Sequence, residues 1–405
     1  MNLIRTHAMA TLIPIREAPR PGLVPPFALW ALGFRPFYLL ASGFAALSVG
    51  LWALQFSGWL GQAYLQGPLW HAHEMLFGFS MAVLVGFLFT AGRNWSGQAT
   101  PTGAPLAALA ALWVAGRMLV LTPYGWAAAL VNTAFPLTAA AALGWAFYKG
   151  RNRRNYFFAG LLLLLGLAEL CVHLSVLGVL QVPGWAGIGL GLDVMLFVLC
   201  VMAGRVIPMF TNNGVPGAKA VRHPTLEKVA LALLLLLLVA DLLKLSGLPL
   251  ALLAAAAAAA HLARWLRWQP WKTLAQPLVW VLHLAYAWIP LHLLLRAAAQ
   301  LGWVPASAAT HALTVGAIGG MVLGMMTRTA LGHTGRALKA GRTELACYGL
   351  VALAAVLRVA LPLLAPSWLV GAVLFSALLW SAGFALFAVA YWPILSRARA
   401  DGLPG

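Results

Sequence analysis

The sequence predicts an all-α integral membrane protein of twelve transmembrane helices. Three observations carry that prediction. Of 405 residues, 62% are hydrophobic and only 8% charged, with a mean hydropathy of +0.89, far from the composition of a soluble domain. Twelve apolar runs of about 20 residues, each long enough to cross the hydrocarbon core, lie end to end. The positive charges fall in alternate loops. The predicted runs are 27–55, 68–91, 103–121, 124–148, 155–178, 185–209, 225–245, 248–268, 275–300, 305–329, 342–364 and 367–393. Residues 1–26 and 394–405 are then tails flanking a single membrane domain over 27–393.

The loop charges fix the expected topology. Arg5, Arg16 and Arg20 precede the first run, and Lys149, Arg151, Arg153 and Arg154 follow the fourth. Arg205, Lys219, Arg222 and Lys228 surround the end of the sixth; Arg264, Arg267 and Lys272 lie at the end of the eighth or just after it; Arg328, Arg336, Lys339 and Arg342 lie at the end of the tenth or after it. With Arg93, Arg397 and Arg399, 21 of the 26 Lys and Arg residues share one side. Positive loops stay in the cytoplasm, so both termini are expected there. The net charge of +18 is explained the same way, and with no basic domain outside the membrane a nucleic-acid partner is not expected. The first 26 residues, broken by five prolines, lack the apolar core of a secretory signal. Cys171, Cys200 and Cys347 lie in or beside apolar runs without a CxxC, so neither a disulfide framework nor a zinc site is expected. The seventh and eighth runs, with Leu231 to Leu238 and Ala254 to Ala260, read as lipid-facing scaffold.

The second run opens on Trp70-His71-Ala72-His73-Glu74-Met75. Ionisable residues in a membrane span mark functional sites by default. The pattern returns 238 residues later: Gly78 and Gly86 follow His73 by 5 and 13, and Gly316 and Gly324 follow His311 by the same offsets. On a regular α-helix, position i+5 is turned about 140° from i, so the glycines flank the histidine and admit a close neighbour. In the sixth run Gly191 and Gly204 are again 13 apart, with Gly191 standing where the histidine would be. Three groups of four helices, a three-by-four pseudo-repeat, is the simplest reading.

With alternating helices, His71, His73, His173, His283, His292 and His311 are expected in the outer half, His283 nearer the middle. Neutral imidazole commonly ligates haem iron and copper, so these six are the candidate metal ligands, each with interfacial hydrogen bonding as the alternative. His71 and His73 point about 200° apart and are not expected to share one metal. Glu169 stands one turn before His173 and Glu74 three residues after His71, placed to orient an imidazole or relay a proton. Arg117, Arg296 and Arg358 sit towards outer helix ends, where they either bind haem propionates or snorkel to lipid headgroups. Arg35 reads as an interfacial anchor, His333 as a loop residue, and His223 and His261 as solvated or structural. Three polar, glycine-containing exits, Arg93 to Gly97, Arg205 to Gly214 and Thr327 to Gly335, read as helix caps.

Phe34-Arg35-Pro36-Phe37-Tyr38, the Trp70 to Phe79 block, Arg205 to Asn213 and the stretch from His311 to Gly335 together resemble the NnrS family of bacterial membrane proteins. That resemblance implies an inner-membrane protein that holds haem, of b type, and copper, and that is linked to nitric oxide stress. The implied partners are nitric oxide or a similar small gas and the surrounding lipid, with an electron donor the resemblance does not name. The twelve helices and the pseudo-repeat are also similar to the catalytic subunit of haem–copper oxidases, whose second and tenth helices supply haem ligands. This chain departs from that pattern: its tenth run has one histidine where the oxidases have a pair, and its sixth and seventh lack the copper histidines. The expected haem ligands are His73 or His71 with His311, and a second metal would draw on His173, His283 or His292. Two other classes stay open on the sequence: a secondary transporter, against which stand only eight acidic residues, and a haem-based gas sensor without turnover. No CxxCH supplies an internal electron-transfer haem.

Overall fold

The computed structural model describes residues 27–56 and 64–403. The expected tail over 1–26, with Arg5, Arg16 and Arg20, lies outside the described residues. Among those described there are twelve helices and no strand: α1 Phe34–Phe56, α2 Gly67–Ser96, α3 Gly103–Leu119, α4 Gly125–Lys149, α5 Tyr156–Val176, α6 Gly184–Gly214, α7 Pro224–Leu242, α8 Leu248–Leu266, α9 Pro277–Gln300, α10 Ala306–His333, α11 Arg342–Leu364 and α12 Leu369–Ser396. Ten of them are long and apolar enough to cross a membrane. The other two are α3, with 17 residues, and α7, which carries Glu227, Lys228 and Asp241. A helix satisfies its own backbone polar groups, so runs this apolar have no other stable form in hydrocarbon. The protein is therefore a multi-pass helical membrane protein.

Neighbours in sequence pack together, α4 on α5, α5 on α6, α8 on α9 and α11 on α12, while α1 closes onto α12. That closure corrects two expectations. The first helix begins at Phe34 rather than 27: Phe27 pairs with Arg397 in an isolated antiparallel bridge, and the Ala28 amide donates to the Ser396 carbonyl at 2.7 Å. Arg35 is no interfacial anchor. It is fully buried and donates to the carbonyls of Leu395 and Arg397 at 2.9 and 2.8 Å. Leu395 lies in the last turn of α12 and Arg397 directly follows it, where carbonyls have no intrahelical partner and the negative end of the helix dipole lies.

Helix ends also run past the apolar limits. α2 continues to Ser96 and stops at Gly97, whose φ of 66° is left-handed as a C-terminal glycine cap requires. α6 continues to Gly214, and α10 ends on His333. His333 is therefore helical rather than a loop residue. Its ring lies 5.7 Å from that of Phe34, and its carbonyl accepts from Arg399 at 3.1 Å.

The matched histidines have a shared backbone consequence. Directly after His73, residues Glu74–Ser80 form a π-helical segment; directly after His311, residues Ala312–Gly319 do the same. Such wide turns are rare and cluster at functional sites. Their five-residue hydrogen bonds break the angular count of a regular helix, so the 140° expected between His73 and Gly78 does not hold. Gly78 is needed nonetheless: a Cβ there would stand 2.5 Å from Nη1 of Arg117 and 2.8 Å from Phe44. α6 has no π segment among its described residues, so the third copy of the pattern does not share this feature.

Candidate metal centre

His73 is the seventh residue of α2, and the π segment that follows turns Glu74 inward with it. His173 and Glu169, one turn apart on α5, face the same point, as their helical spacing requires. The Nε2 atoms of His73 and His173 are 3.2 Å apart, and Nε2 of His73 lies 3.5 Å from Oε1 of Glu169. One ligand atom from each of His73, Glu169 and His173 lies within 4.8 Å of the others. All three residues are buried.

A second layer surrounds them. His73 Nδ1 donates to Oε1 of Glu74 at 2.8 Å. Arg117, near the end of α3, donates to the same oxygen at 2.8 Å and has Nη2 3.7 Å from Oε1 of Glu169. Its Nη2 also donates to the side-chain oxygen of Asn132 on α4. The indole of Trp113 donates to the Gly78 carbonyl at 3.1 Å. Tyr64, in the connection from α1 to α2, stacks on His173 with rings 5.9 Å apart and nearly parallel. Its hydroxyl lies 3.3 Å from Nδ1 of His173 and 3.2 Å from that residue's carbonyl. Burial pushes the Tyr64 phenol up to about 12, so it carries its proton at neutral pH.

The arrangement fits a bound cation. With Nδ1 of His73 donating to Glu74, its Nε2 is a bare lone pair facing another imidazole and a carboxylate. Neither carboxylate oxygen of Glu169 has a hydrogen-bond partner, although both are buried. Leaving such groups unpaired costs free energy, and a metal ion between them removes that cost. Two imidazole nitrogens on one tetrahedral ion stand about 3.3 Å apart, close to the spacing observed. A porphyrin does not fit between these two rings, whose centroids are only 4.9 Å apart.

The other predicted residues occupy different places. His71 points away from His73, as the angular count implied, and stacks on Trp52 at 5.2 Å; its Nδ1 is buried without a partner. His311 donates from Nδ1 to the Ser307 carbonyl at 2.7 Å, which leaves its Nε2 bare. Arg358 on α11 acts electrostatically on both His71 and His311. His292 donates to the Ala309 carbonyl at 2.8 Å, and α9 runs unbroken through Pro290. Arg296 is paired with Asp193 at 3.2 Å and with Asp241. His283 lies early in α9 and touches Thr211, near the end of α6, at 2.8 Å. It therefore sits in the half of the bundle with the basic loops, and five of the six histidines, not six, share the opposite half. A cleft of about 380 Å³ lies at the basic end, among Phe87, Trp95, Phe210, Arg328 and His333; none of the six predicted ligands lines it.

Sequence reasoning missed Tyr64 and Asn132. Tyr64 gave no signal, standing in a connection with no motif. Asn132 gave a weak one, a carboxamide inside an apolar run at the same end as Arg117.

A helical membrane bundle that buries two imidazoles and a carboxylate around one point belongs to the multi-pass membrane proteins with an intramembrane donor cluster. Within that class the assignment is specific. The chain belongs to the NnrS family: the family model described as NnrS protein matches residues 28–399. No curated protein matches it.

Proposed function

We propose that this chain is a metal-binding membrane protein of the nitric oxide response, with a metal ion held by His73, His173 and Glu169. The observation that carries the reading is the convergence of three buried donors within 4.8 Å of one another, with neither oxygen of Glu169 hydrogen-bonded. An N,N,O donor set suits a transition ion such as copper, iron or zinc. When bound, such an ion supplies an open coordination position for a small diatomic ligand. The residues around it do the rest. Glu74 and Arg117 hold the His73 ring in place, and the apolar helices exclude bulk water. Nitric oxide, small and apolar, reaches a site inside the bundle through lipid without a polar channel. Family membership links the chain to nitric oxide, and its ten apolar helices fit a place in the bacterial inner membrane, with the basic loops and both termini in the cytoplasm.

A b-type haem belongs, on this reading, at His71 and His311. Three observations support it: the orphan Nδ1 of His71, the bare Nε2 of His311, and Arg358. Arg117 and Arg296 are engaged by carboxylates, whereas Arg358 has no hydrogen-bond or ion-pair partner among the described residues and remains free for a propionate.

The test is metal analysis and an absorption spectrum of purified protein from cells supplied with iron and copper. A Soret band shifted by nitric oxide, abolished by His311→Ala, and a second metal lost in His173→Ala are expected. Protein with neither haem nor metal sinks the reading and favours a transporter. Gas binding without consumption identifies a sensor.

A further inference from the structure

We propose that Tyr64 and Asn132 are positioning residues that hold His173 and His73 in the tautomer with the proton on Nδ1, so that both Nε2 lone pairs point at Glu169. This deepens the metal-site reading and rests on it.

On the His173 side the argument is a count of protons. The Tyr64 hydroxyl lies 3.2 Å from the His173 carbonyl and 3.3 Å from Nδ1 of the same residue. A carbonyl only accepts, and a phenol has one proton to give. The contact set closes when the phenol donates to the carbonyl and Nδ1–H donates to the phenol oxygen. Nε2 of His173 is then bare. The near-parallel stacking of the two rings, 4° between planes, holds the imidazole at that angle.

On the His73 side the chain of bonds is longer. The Asn132 carboxamide cannot flip, because its Nδ2 donates to the carbonyls of Ala128 at 2.8 Å and Gly116 at 3.3 Å. Its oxygen therefore faces Arg117 and accepts from Nη2. That bond aims Nη1 at Oε1 of Glu74, 2.8 Å away. The same oxygen takes the Nδ1 proton of His73, also at 2.8 Å. Asn132 thus acts on the imidazole through two intermediate side chains. Carboxylate or carbonyl partners on the far nitrogen of a ligating histidine fix its tautomer and orientation, and their loss typically costs 10–100-fold in metal affinity.

Neither residue touches the point where the donors converge, so neither is a ligand. With the Nδ1 protons held this way, both rings present Nε2 to the same point, 3.2 Å apart, with Oε1 of Glu169 3.5 Å from that of His73.

The experiment uses the full-length chain in detergent, with ¹⁵N-labelled histidine, stripped of metal and then titrated with Co²⁺ against a chelator. In the metal-free protein the ¹⁵N shifts of His73 and His173, assigned by difference against His73→Ala and His173→Ala, are expected to show Nδ1–H on both rings. Tyr64→Phe is expected to disturb His173 alone and Asn132→Leu His73 alone, each weakening Co²⁺ binding 10–100-fold with thermal unfolding close to wild type. If Asn132→Leu fails to fold, Tyr64→Phe decides. A proton on Nε2 of either ring in the wild type overturns the proposal. So does unchanged Co²⁺ affinity in Tyr64→Phe while His173→Ala abolishes binding; the metal site then stands without this outer layer. A wild type with no Co²⁺ affinity at all overturns the metal-site reading and this proposal with it.

Discussion

Two buried polar networks in this molecule use nearly the same side chains. Between α7, α8 and α9, Glu227, Arg264, His261 and Tyr286 are buried together. Between α2, α3, α4 and α5, Glu74, Glu169, Arg117, His73 and His173 are buried with Tyr64 at their edge. In the first network the partners close on one another. Arg264 clamps Glu227 through two bonds of 2.8 and 2.7 Å and donates to Tyr286 at 3.0 Å. Tyr286 meets Nδ1 of His261 at 2.7 Å, and Nε2 of His261 reaches the Ala230 carbonyl at 3.3 Å. In the second network both oxygens of Glu169, Oε2 of Glu74 and Nε of Arg117 lack hydrogen-bond partners, and two imidazole nitrogens face each other. Residue type does not separate a structural network from a site; completeness does. Low dielectric makes a satisfied network rigid and an unsatisfied one expensive, and a chain keeps the expensive kind where something else completes it.

The comparison is broken or sharpened by substitutions on each side. The largest effect is expected at the closed network. Glu227→Gln leaves the Arg264 charge buried without its counter-ion, a loss of about 3–5 kcal/mol, read as a large fall in thermal midpoint with metal content per folded molecule unchanged. Gly204→Ala is expected to act in the same direction, because its Cβ would land on Nη2 of Arg264. If either variant is as stable as wild type, the closed network is not structural.

Next is the open network. Glu169→Gln is expected to abolish metal binding and yet to stabilise the metal-free protein by about 1–3 kcal/mol, since an unpaired buried acceptor is replaced by a group that donates to Nε2 of His73. Loss of both metal and stability would mean that Glu169 is a structural residue like Glu227.

The smallest effect is expected at the surface pair Arg399–Asp401, 2.6 Å apart. Arg399→Ala should lower thermal stability only slightly at neutral pH, since a pair at the surface contributes little and the remaining loss is one bond to the His333 carbonyl. The Arg399 hydrogen bond holds the Asp401 carboxyl down to about 2. The sign follows: any stabilisation from the pair is complete above the ordinary carboxylate range and disappears as pH falls through 2. A midpoint that drops on raising the pH from 5 to 8, and does so only with Arg399 present, would contradict this.

The scaffold expectation for the seventh and eighth runs shows where sequence reading stops. Leu235, Leu236, Val239 and Leu252 are exposed on the bundle surface, as a lipid-facing pair requires. The same two helices nevertheless bury Glu227, His261 and Arg264, and Arg264, counted among the loop charges, is only 1% exposed. A charge one turn inside a helix end and a charge in the following loop look alike in a linear pattern. What separates them is a partner 37 residues away.

Apolar length by itself determined that this chain is helical and crosses a membrane, because hydrocarbon leaves the backbone no other way to pair its polar groups. Local spacing determined that Glu169 and His173 share a face and that His71 and His73 do not. The 5 and 13 offsets marked the two helices that carry π segments after a histidine. Tertiary structure alone decided that His73 meets His173, 100 residues away, that Asn132 and Tyr64 hold the two rings, and that Arg35 caps a helix 360 residues downstream. Periodicity reports which face of a helix a residue occupies. Which face of which other helix it meets depends on packing the whole bundle at once, and on π turns that shift the periodicity itself.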